Sequence, residues 1–318
     1  MRRGVFLAAL FLTGAVSIVA ATFQAQAPPQ LPRPKLKIEK LKDNLYIIPT
    51  GSAAGSREVA FVGGNTAVWI TNTGVVVVDT KLAGWGQEIL DQIKTVTDKP
   101  VTTIINTHTH NDHTGSNTEF SETVNFVTQE NTRANLARAE CAPVTNCGAF
   151  KGDKTKFLPK TTFKDKMSLF SGTDRIDLYY FGVGHTNGDA WIVFPAVRTV
   201  HAGDMFPWKD APFLDRGSGG SGVAFPATLS KAMAGIKNVD TVIGGHQVPT
   251  AWKDIADYQR FNQEILTRTQ EALKGGKSVD EAVALITPQL EKYKASGLQS
   301  QRLKGAVQAI YDEINKRP

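Results

Sequence analysis

The chain has 318 residues, of which 41% are hydrophobic, 8% aromatic and 21% charged. That balance excludes a disordered or fibrous protein, and the length buries a sizeable core as one large domain or two modest ones. Lys and Arg number 36 against 30 Asp and Glu, a formal charge of +6, and the surplus is scattered without a basic run or aromatic-interleaved basic stripe, which argues against nucleic acid as a partner.

Residues 1–27 read as a secretory signal peptide. Arg2 and Arg3 supply a positive start, Val5 to Ala21 is almost uninterruptedly apolar or small, and Ala25 to Ala27 offers a small-x-small cleavage site. Cleavage after Ala27 would remove two of the positive charges and leave +4. The expected location is therefore periplasmic or secreted, with no membrane contact after cleavage. An uncleaved anchor fits less well, because Pro28 and Pro29 follow the cleavage site directly.

Residues 28–40, opening with a Pro/Gln-rich stretch, are expected to form a flexible lead-in to a single domain over 41–318. Leu45 to Ile48, Ala67 to Ile70 and Val75 to Val78 are β-branched or aromatic runs separated by Gly/Asn turns, which predicts hairpins. A helix is predicted over 86–96, then a buried strand from Val101 to Ile105. Asn125 to Val127 and Asn131 to Ala139 repeat strand then helix. Cys141 and Cys147, six apart in an exported chain, are read as a small disulfide loop; two metal thiolates are the weaker reading, since no histidine lies between residues 114 and 184.

Further on, Lys156 to Phe170 and Asp174 to Phe181 are predicted strands, and Trp191 to Phe194 with Arg198 to His201 a hairpin. Gly217 to Gly222 reads as a flexible loop before a helix near Ala227 to Ile236 and a strand from Thr241 to Ile243. Residues 251–318 form a helical C-terminal extension, broken near Gly275–Gly276 and Pro288, that covers the sandwich or mediates dimerisation. Hairpins require antiparallel pairs, so the prediction is α/β (α+β): two sheets packed as a sandwich with helices outside.

The main chemical signal is the placing of the six histidines. His108, His110, Asp112 and His113 crowd into six residues directly after a predicted strand. His108 and His110, two apart in extended chain, project to one side and can share a cation, while Asp112 and His113 fall on the next turn and can serve a second. His185, Asp204 and His246 each follow an apolar strand in a turn-like context. Together these donors suffice for two adjacent divalent ions, each with a place left for water.

This ordered pattern resembles the metallo-β-lactamase superfamily, whose signature is H-x-H-x-D-H followed by a lone His, a bridging Asp and a final His. The resemblance implies a four-layer αββα sandwich of two mixed sheets with a metal site at the sheet edges. It also implies His108, His110 and His185 on one ion, with Asp112, His113 and His246 on the other and Asp204 joining them; the two divalent ions are expected to be zinc rather than iron or manganese. Asp79, closing the Val75 to Val78 strand, matches an early aspartate that supports the site from behind. His201 matches no ligand, and Asn187 and Asp189 are read as shaping the His185 turn.

Within the superfamily, Asp204 stands where the well-known β-lactam-hydrolysing members place cysteine or serine, so the chain looks more like the glyoxalase II and lactonase branches. Phe206, Trp208 and Lys209 are candidate substrate contacts, Lys209 for an anionic group, and Arg57 is a further cation on the early loop 51–58. The expected activity is hydrolysis of a small ester, lactone, thioester or amide by a hydroxide held between two zinc ions. In that scheme Asp112 is the catalytic carboxylate that orients it. The alternatives are β-lactam hydrolysis, an iron-dependent sulfur dioxygenase-like reaction, and a non-catalytic periplasmic metal-binding protein. The partner expected is a small-molecule substrate.

Overall fold

The computed structural model describes residues 31–51 and 59–316; the expected signal peptide, residues 1–27, and Arg57 lie outside the described residues. The first sheet runs, edge to edge in chain order, through β1 (Glu39–Lys42), β2 (Leu45–Ile48), β3 (Thr66–Ile70), β4 (Val75–Val78), β5 (Val101–Ile105), β6 (Asn125–Gln129) and β7 (Thr161–Phe163). The predicted meander supplies its antiparallel half, while β4, β5, β6 and β7 are mutually parallel neighbours. Crossovers between the parallel strands carry the helices α1 (Gly86–Lys94), the single turn α2 (Asn111–Thr114) and α3 (Glu130–Leu136). The second sheet orders β13 (Thr250–Ala251), β12 (Thr241–Gly244), β11 (Thr199–Gly203), β10 (Trp191–Phe194), β9 (Ile176–Tyr179) and β8 (Lys166–Leu169). Of its pairs, β11 with β12 is parallel.

Both sheets are covered on both faces, and the strand sequences show why. In β4 every residue is valine: Val76 and Val78 enter the core between the sheets, while Val75 and Val77 pack outward with Ile89 and Ile93 of α1. Period-2 alternation of side chains puts successive residues on opposite faces, so a strand buried on both sides reads as a continuous apolar run. β10 does the same in the second sheet: Ile192 and Phe194 point inward, Trp191 and Val193 outward. Its outer layer comprises α4 (Phe225–Gly235), α5 (Asp254–Lys274), α6 (Val279–Leu290) and α7 (Leu303–Ile314). The result is the four-layer αββα sandwich.

Several local expectations are corrected. The predicted strand Lys156 to Phe170 is two strands in different sheets: β7 closes the first and β8 opens the second. The chain crosses between layers at this point. Part of the expected lead-in, Glu39 and Lys40, already belongs to β1. The C-terminal helices are not peripheral, since Tyr258, Phe261, Ile286 and Ile310 share one core with Trp191 and Val200. Gly275 and Gly276 follow α5 as expected, whereas Pro288 sits inside the last turn of α6. The glycine stretch at 217–222 is tightly packed: a Cβ on Gly220 would lie 2.3 Å from the His185 carbonyl oxygen. Ser218 is fully buried there and its carbonyl accepts from the Asn187 N–H. Among the described residues, no helix is long and apolar enough to cross a membrane.

Candidate metal centre

Parallel strands bring their C-terminal ends to one edge, and the candidate residues follow those ends. Asp79 follows β4, His108 and His110 follow β5, Asp204 follows β11 and His246 follows β12. Asn65 joins the two sheets there: its backbone N–H donates to Gly245 O at 2.7 Å and its side-chain amide to Gly244 O at 2.7 Å and Gln247 O at 2.6 Å. The turn α2, begun at His110, carries Asp112 and His113, and the Thr114 hydroxyl donates back to the His110 carbonyl at 2.9 Å.

Two clusters of donor atoms result: His108, His110, His185 and Asp204 in one, and Asp112, His113 and His246 in the other. Asp204 also lies between them, with carboxylate oxygens 3.4 Å from His113 Nε2, 3.3 Å from His246 Nε2 and 3.6 Å from His185 Nε2. Asp112 Oδ2 is 3.3 Å from His246 Nε2 and 3.7 Å from His113 Nε2. Residues far apart in sequence thus converge in one place.

The outward partners of the imidazoles assign their tautomers. His185 Nδ1 donates to the Phe213 carbonyl at 2.7 Å, which leaves Nε2 as a bare lone pair. His110 Nε2 donates to Asp215 at 2.9 Å, leaving Nδ1 bare. The Thr107 hydroxyl gives its proton to Asp79 at 2.7 Å, so it accepts from His108 Nδ1 at 2.9 Å. His108 Nε2 is then buried without a hydrogen-bond partner. His113 Nδ1 donates to Asp79 at 2.7 Å and turns Nε2 inward.

The bare His185 Nε2 and His110 Nδ1 face each other at 3.0 Å, and His113 Nε2 faces His246 Nε2 at 3.2 Å. Lone pairs this close repel unless a proton or cation lies between them. Burial first, then neighbouring imidazolium charge, holds His108 well below the usual histidine pKa, and burial with His110 lowers His185 to about 4. Both rings are therefore neutral donors. At His113, burial acts downward but the Asp112, Asp204 and Asp79 carboxylates prevail and raise its pKa well above the usual value. For Asp204, burial acts upward and His246 and His113 outweigh it, so the carboxyl is held well below its usual range. Unpartnered nitrogens, facing lone pairs and buried carboxylates fit divalent cations, and nitrogen with oxygen donors suits zinc.

The centre opens into a cleft of about 290 Å³ lined by Phe61, Leu82, Asn111, Val144, Trp208 and Phe213 beside His110, Asp112, Asp204 and His246. The Trp208 ring centre lies 5.6 Å from that of His246, and Phe213 lies 5.9 Å from His110. The other two expected substrate contacts are placed elsewhere. Phe206 is fully buried against Tyr258, their ring centres 4.8 Å apart, and Lys209 pairs with Asp254 at 2.9 Å. His201 stays outside the clusters, on the inter-sheet side of β11, its Nε2 donating to Asn65 O at 3.2 Å. Asp189 accepts from the Thr186 backbone and hydroxyl and so shapes the His185 turn; burial raises its pKa to about 8.

Cys141 and Cys147 are disulfide-bonded. Their loop pairs with the histidine motif: Asn111 N–H donates to Val144 O at 3.0 Å, and Asn146 N–H to Thr109 O at 3.1 Å. Three supporting features carried no signal in the sequence. Asp215 orients His110 from 105 residues away. Lys81 is fully buried and donates to the carbonyls of Ile48, Pro49 and Gly64. Gly64 and Gly245 leave room for the site: a Cβ would lie 2.3 Å from His113 Cε1 in one case and 1.8 Å from Asp204 Oδ1 in the other.

The chain is similar to known proteins in family and fold. The family model described as "Metallo-beta-lactamase superfamily" matches residues 60–246. A metallo-beta-lactamase type 2 from Elizabethkingia meningoseptica is 29% identical over 229 residues, covering 70% of this chain and 81% of that protein. Metallo-beta-lactamase IND-1 from Chryseobacterium indologenes is 23% identical over 217 residues, covering 67% and 81%. Among solved structures, a metallo-beta-lactamase from Pontibacter korlensis superposes with a TM-score of 0.58 at 20% identity, covering 72% of this chain and 99% of that one.

Proposed function

Since the chain belongs to the metallo-β-lactamase superfamily, we propose that it is an exported dinuclear zinc hydrolase acting on a small ester, lactone, thioester or amide. The observation that carries this reading is the pair of adjacent donor clusters with Asp204 between them, open to one side through an aromatic cleft. His108, His110 and His185 would hold one ion and Asp112, His113 and His246 the other, with Asp204 reaching both. Ions bound there supply Lewis acidity toward a carbonyl and water acidified toward neutrality. The protein's own residues do the rest. Asp112 is the most exposed of the site's carboxylates, at 17% for its side chain, and lines the cleft. It is the group placed to accept a proton from the attacking water and orient it toward the substrate. Phe61, Trp208 and Phe213 hold the acyl group and exclude bulk water. Export is supported by the signal-like residues 1–27 and by the disulfide, which persists in oxidising compartments.

A second reading, β-lactam amide hydrolysis, is favoured by the names of both relatives above. One experiment addresses both: an ester, a lactone, a thioester and nitrocefin are assayed with zinc-loaded and metal-stripped protein, with zinc content measured alongside. Metal-dependent turnover is expected, and the preferred substrate separates the two readings. Asp112→Asn should remain folded and lose about 100-fold or more in turnover. Bound zinc without hydrolysis of any panel member would instead identify a metal-binding protein.

A further inference from the structure

The family match ends at residue 246 and every residue lining the cleft lies within it, yet one wall of the cleft is held from outside that span. Its Trp208 wall belongs to the segment 205–213, which starts beside Asp204 and ends at Phe213, whose carbonyl accepts from His185. Between those ends, the segment is held by the C-terminal part of the chain. The Gln299 N–H donates to Lys209 O at 2.9 Å, and Lys209 Nζ reaches Asp254 at 2.9 Å and Ser296 O at 3.4 Å. The Arg302 N–H donates to Asp210 Oδ1 at 3.3 Å. Above these contacts, the Arg302 guanidinium carbon lies 3.9 Å from the centre of the Trp208 ring. Trp208 Nε1 donates to Ala211 O at 3.0 Å, so the indole is fixed at its edge and capped on its face. The Arg302 side chain is exposed and makes no ion pair among the described residues, so the indole is its bonding partner.

We propose that the segment Ser296–Arg302, which does not itself line the cleft, sets specificity by holding the Trp208 wall from behind. Arg302 is its positioning residue, acting through Trp208 to keep a flat apolar wall beside His246, and the site thereby favours acyl groups that carry an aromatic or other flat apolar substituent. The substrate class rests on the hydrolase reading; the clamp on Trp208 does not. A cation over an indole face is attracted by the ring quadrupole even at an exposed site. Trp208 offers the incoming group a rigid amphipathic surface, with little side-chain entropy to lose.

The test uses the full mature chain with Arg302→Ala, Arg302→Lys and Trp208→Phe. Exposure of Trp208 is read by acrylamide quenching of its fluorescence, taken as the difference between proteins with and without Trp208→Phe. Arg302→Ala should increase that quenching, and Arg302→Lys, which keeps a cation over the ring, should restore it. In zinc-loaded protein, KM is compared for 4-nitrophenyl phenylacetate and 4-nitrophenyl acetate. Arg302→Ala should raise the ratio of the first to the second about fivefold, with kcat changing far less, and have no such effect in the Trp208→Phe background. Unchanged quenching, or an equal rise of KM for both esters, overturns the proposal. If neither ester is cleaved, the hydrolase reading fails for these esters and quenching alone decides the clamp.

Discussion

Lys81→Met removes an amine while keeping most of the side-chain volume, at a position with no exposure and with φ of +61°. A lysine ammonium has three N–H donors and no acceptor. Here all three are used, on Ile48 O at 3.0 Å, Pro49 O at 2.9 Å and Gly64 O at 2.9 Å. The substitution leaves two fully buried carbonyls and one partly buried carbonyl short of a donor. Each buried group without its partner costs ~1–3 kcal/mol, partly offset by no longer burying a charge, so a net loss of about 3 kcal/mol is expected at pH 6. For a chain of this size that lowers Tm by roughly 5 °C. Burial lowers the Lys81 pKa from 10.5 to about 7, with the Asp79 carboxylate opposing. Between those values the unfolded chain holds a proton that the folded one has released, so this group makes stability rise with pH from about 7 toward 10.5. Thermal melts of wild type and variant across pH 6 to about 10 should show that contribution in wild type alone. A variant within about 1 kcal/mol of wild type at pH 6 would refute the account of Lys81 as the tie between β2 and the Gly64 turn.

Other perturbations act closer to the centre. Gly245→Ala places a methyl 1.8 Å from Asp204 Oδ1 and must displace the carboxylate between the clusters; zinc content measured after dialysis should fall below that of wild type, and an unchanged metal-to-protein ratio would contradict the placement. Asp215→Asn removes the anionic acceptor of His110 Nε2, and zinc affinity, read by competition with a chromophoric chelator, should weaken about 10- to 100-fold. Cys141→Ser with Cys147→Ser opens the loop that pairs with Thr109 and Asn111; a closed loop this short contributes about 2 kcal/mol, so Tm should fall while the far-ultraviolet circular dichroism stays native.

The histidine motif was legible because its donors are grouped within a few residues, and a strand end is where such a group can project together. The two-sheet architecture was legible from β-branched runs separated by Gly/Asn turns, such as the four valines of β4 after Asn72 to Gly74, since hairpins require antiparallel pairs. What stayed hidden depends on contacts distant in sequence. Asp215 looks like any loop aspartate until the fold brings it to His110. Lys81 reads as a surface lysine, because nothing local announces three converging carbonyls. The split of 156–170 was hidden because both halves carry strand-like residues and only their pairing assigns them to different sheets. Phe206, two residues from Trp208, was read with it as cleft wall, yet it turns inward to Tyr258.

The outward partners of the imidazoles, Asp79 foreseen and Asp215 hidden among them, share a physical role. Each inward-facing nitrogen of His108, His110, His185 and His113 is set by an outward acceptor: the Thr107 hydroxyl, Asp215, the Phe213 carbonyl and Asp79. Two of those acceptors are carboxylates, which with Asp112 and Asp204 make four acids around the cluster. Their four formal negative charges offset most of the positive charge of two divalent cations and of the buried Lys81 amine near Asp79, which matters in a buried place where net charge is heavily penalised. Losing Asp215 or Asp79 would disturb that balance and an imidazole's orientation together. Removing Thr107 would disturb orientation alone. Comparing zinc affinity in such variants separates the two contributions, which the histidine spacing by itself does not reveal.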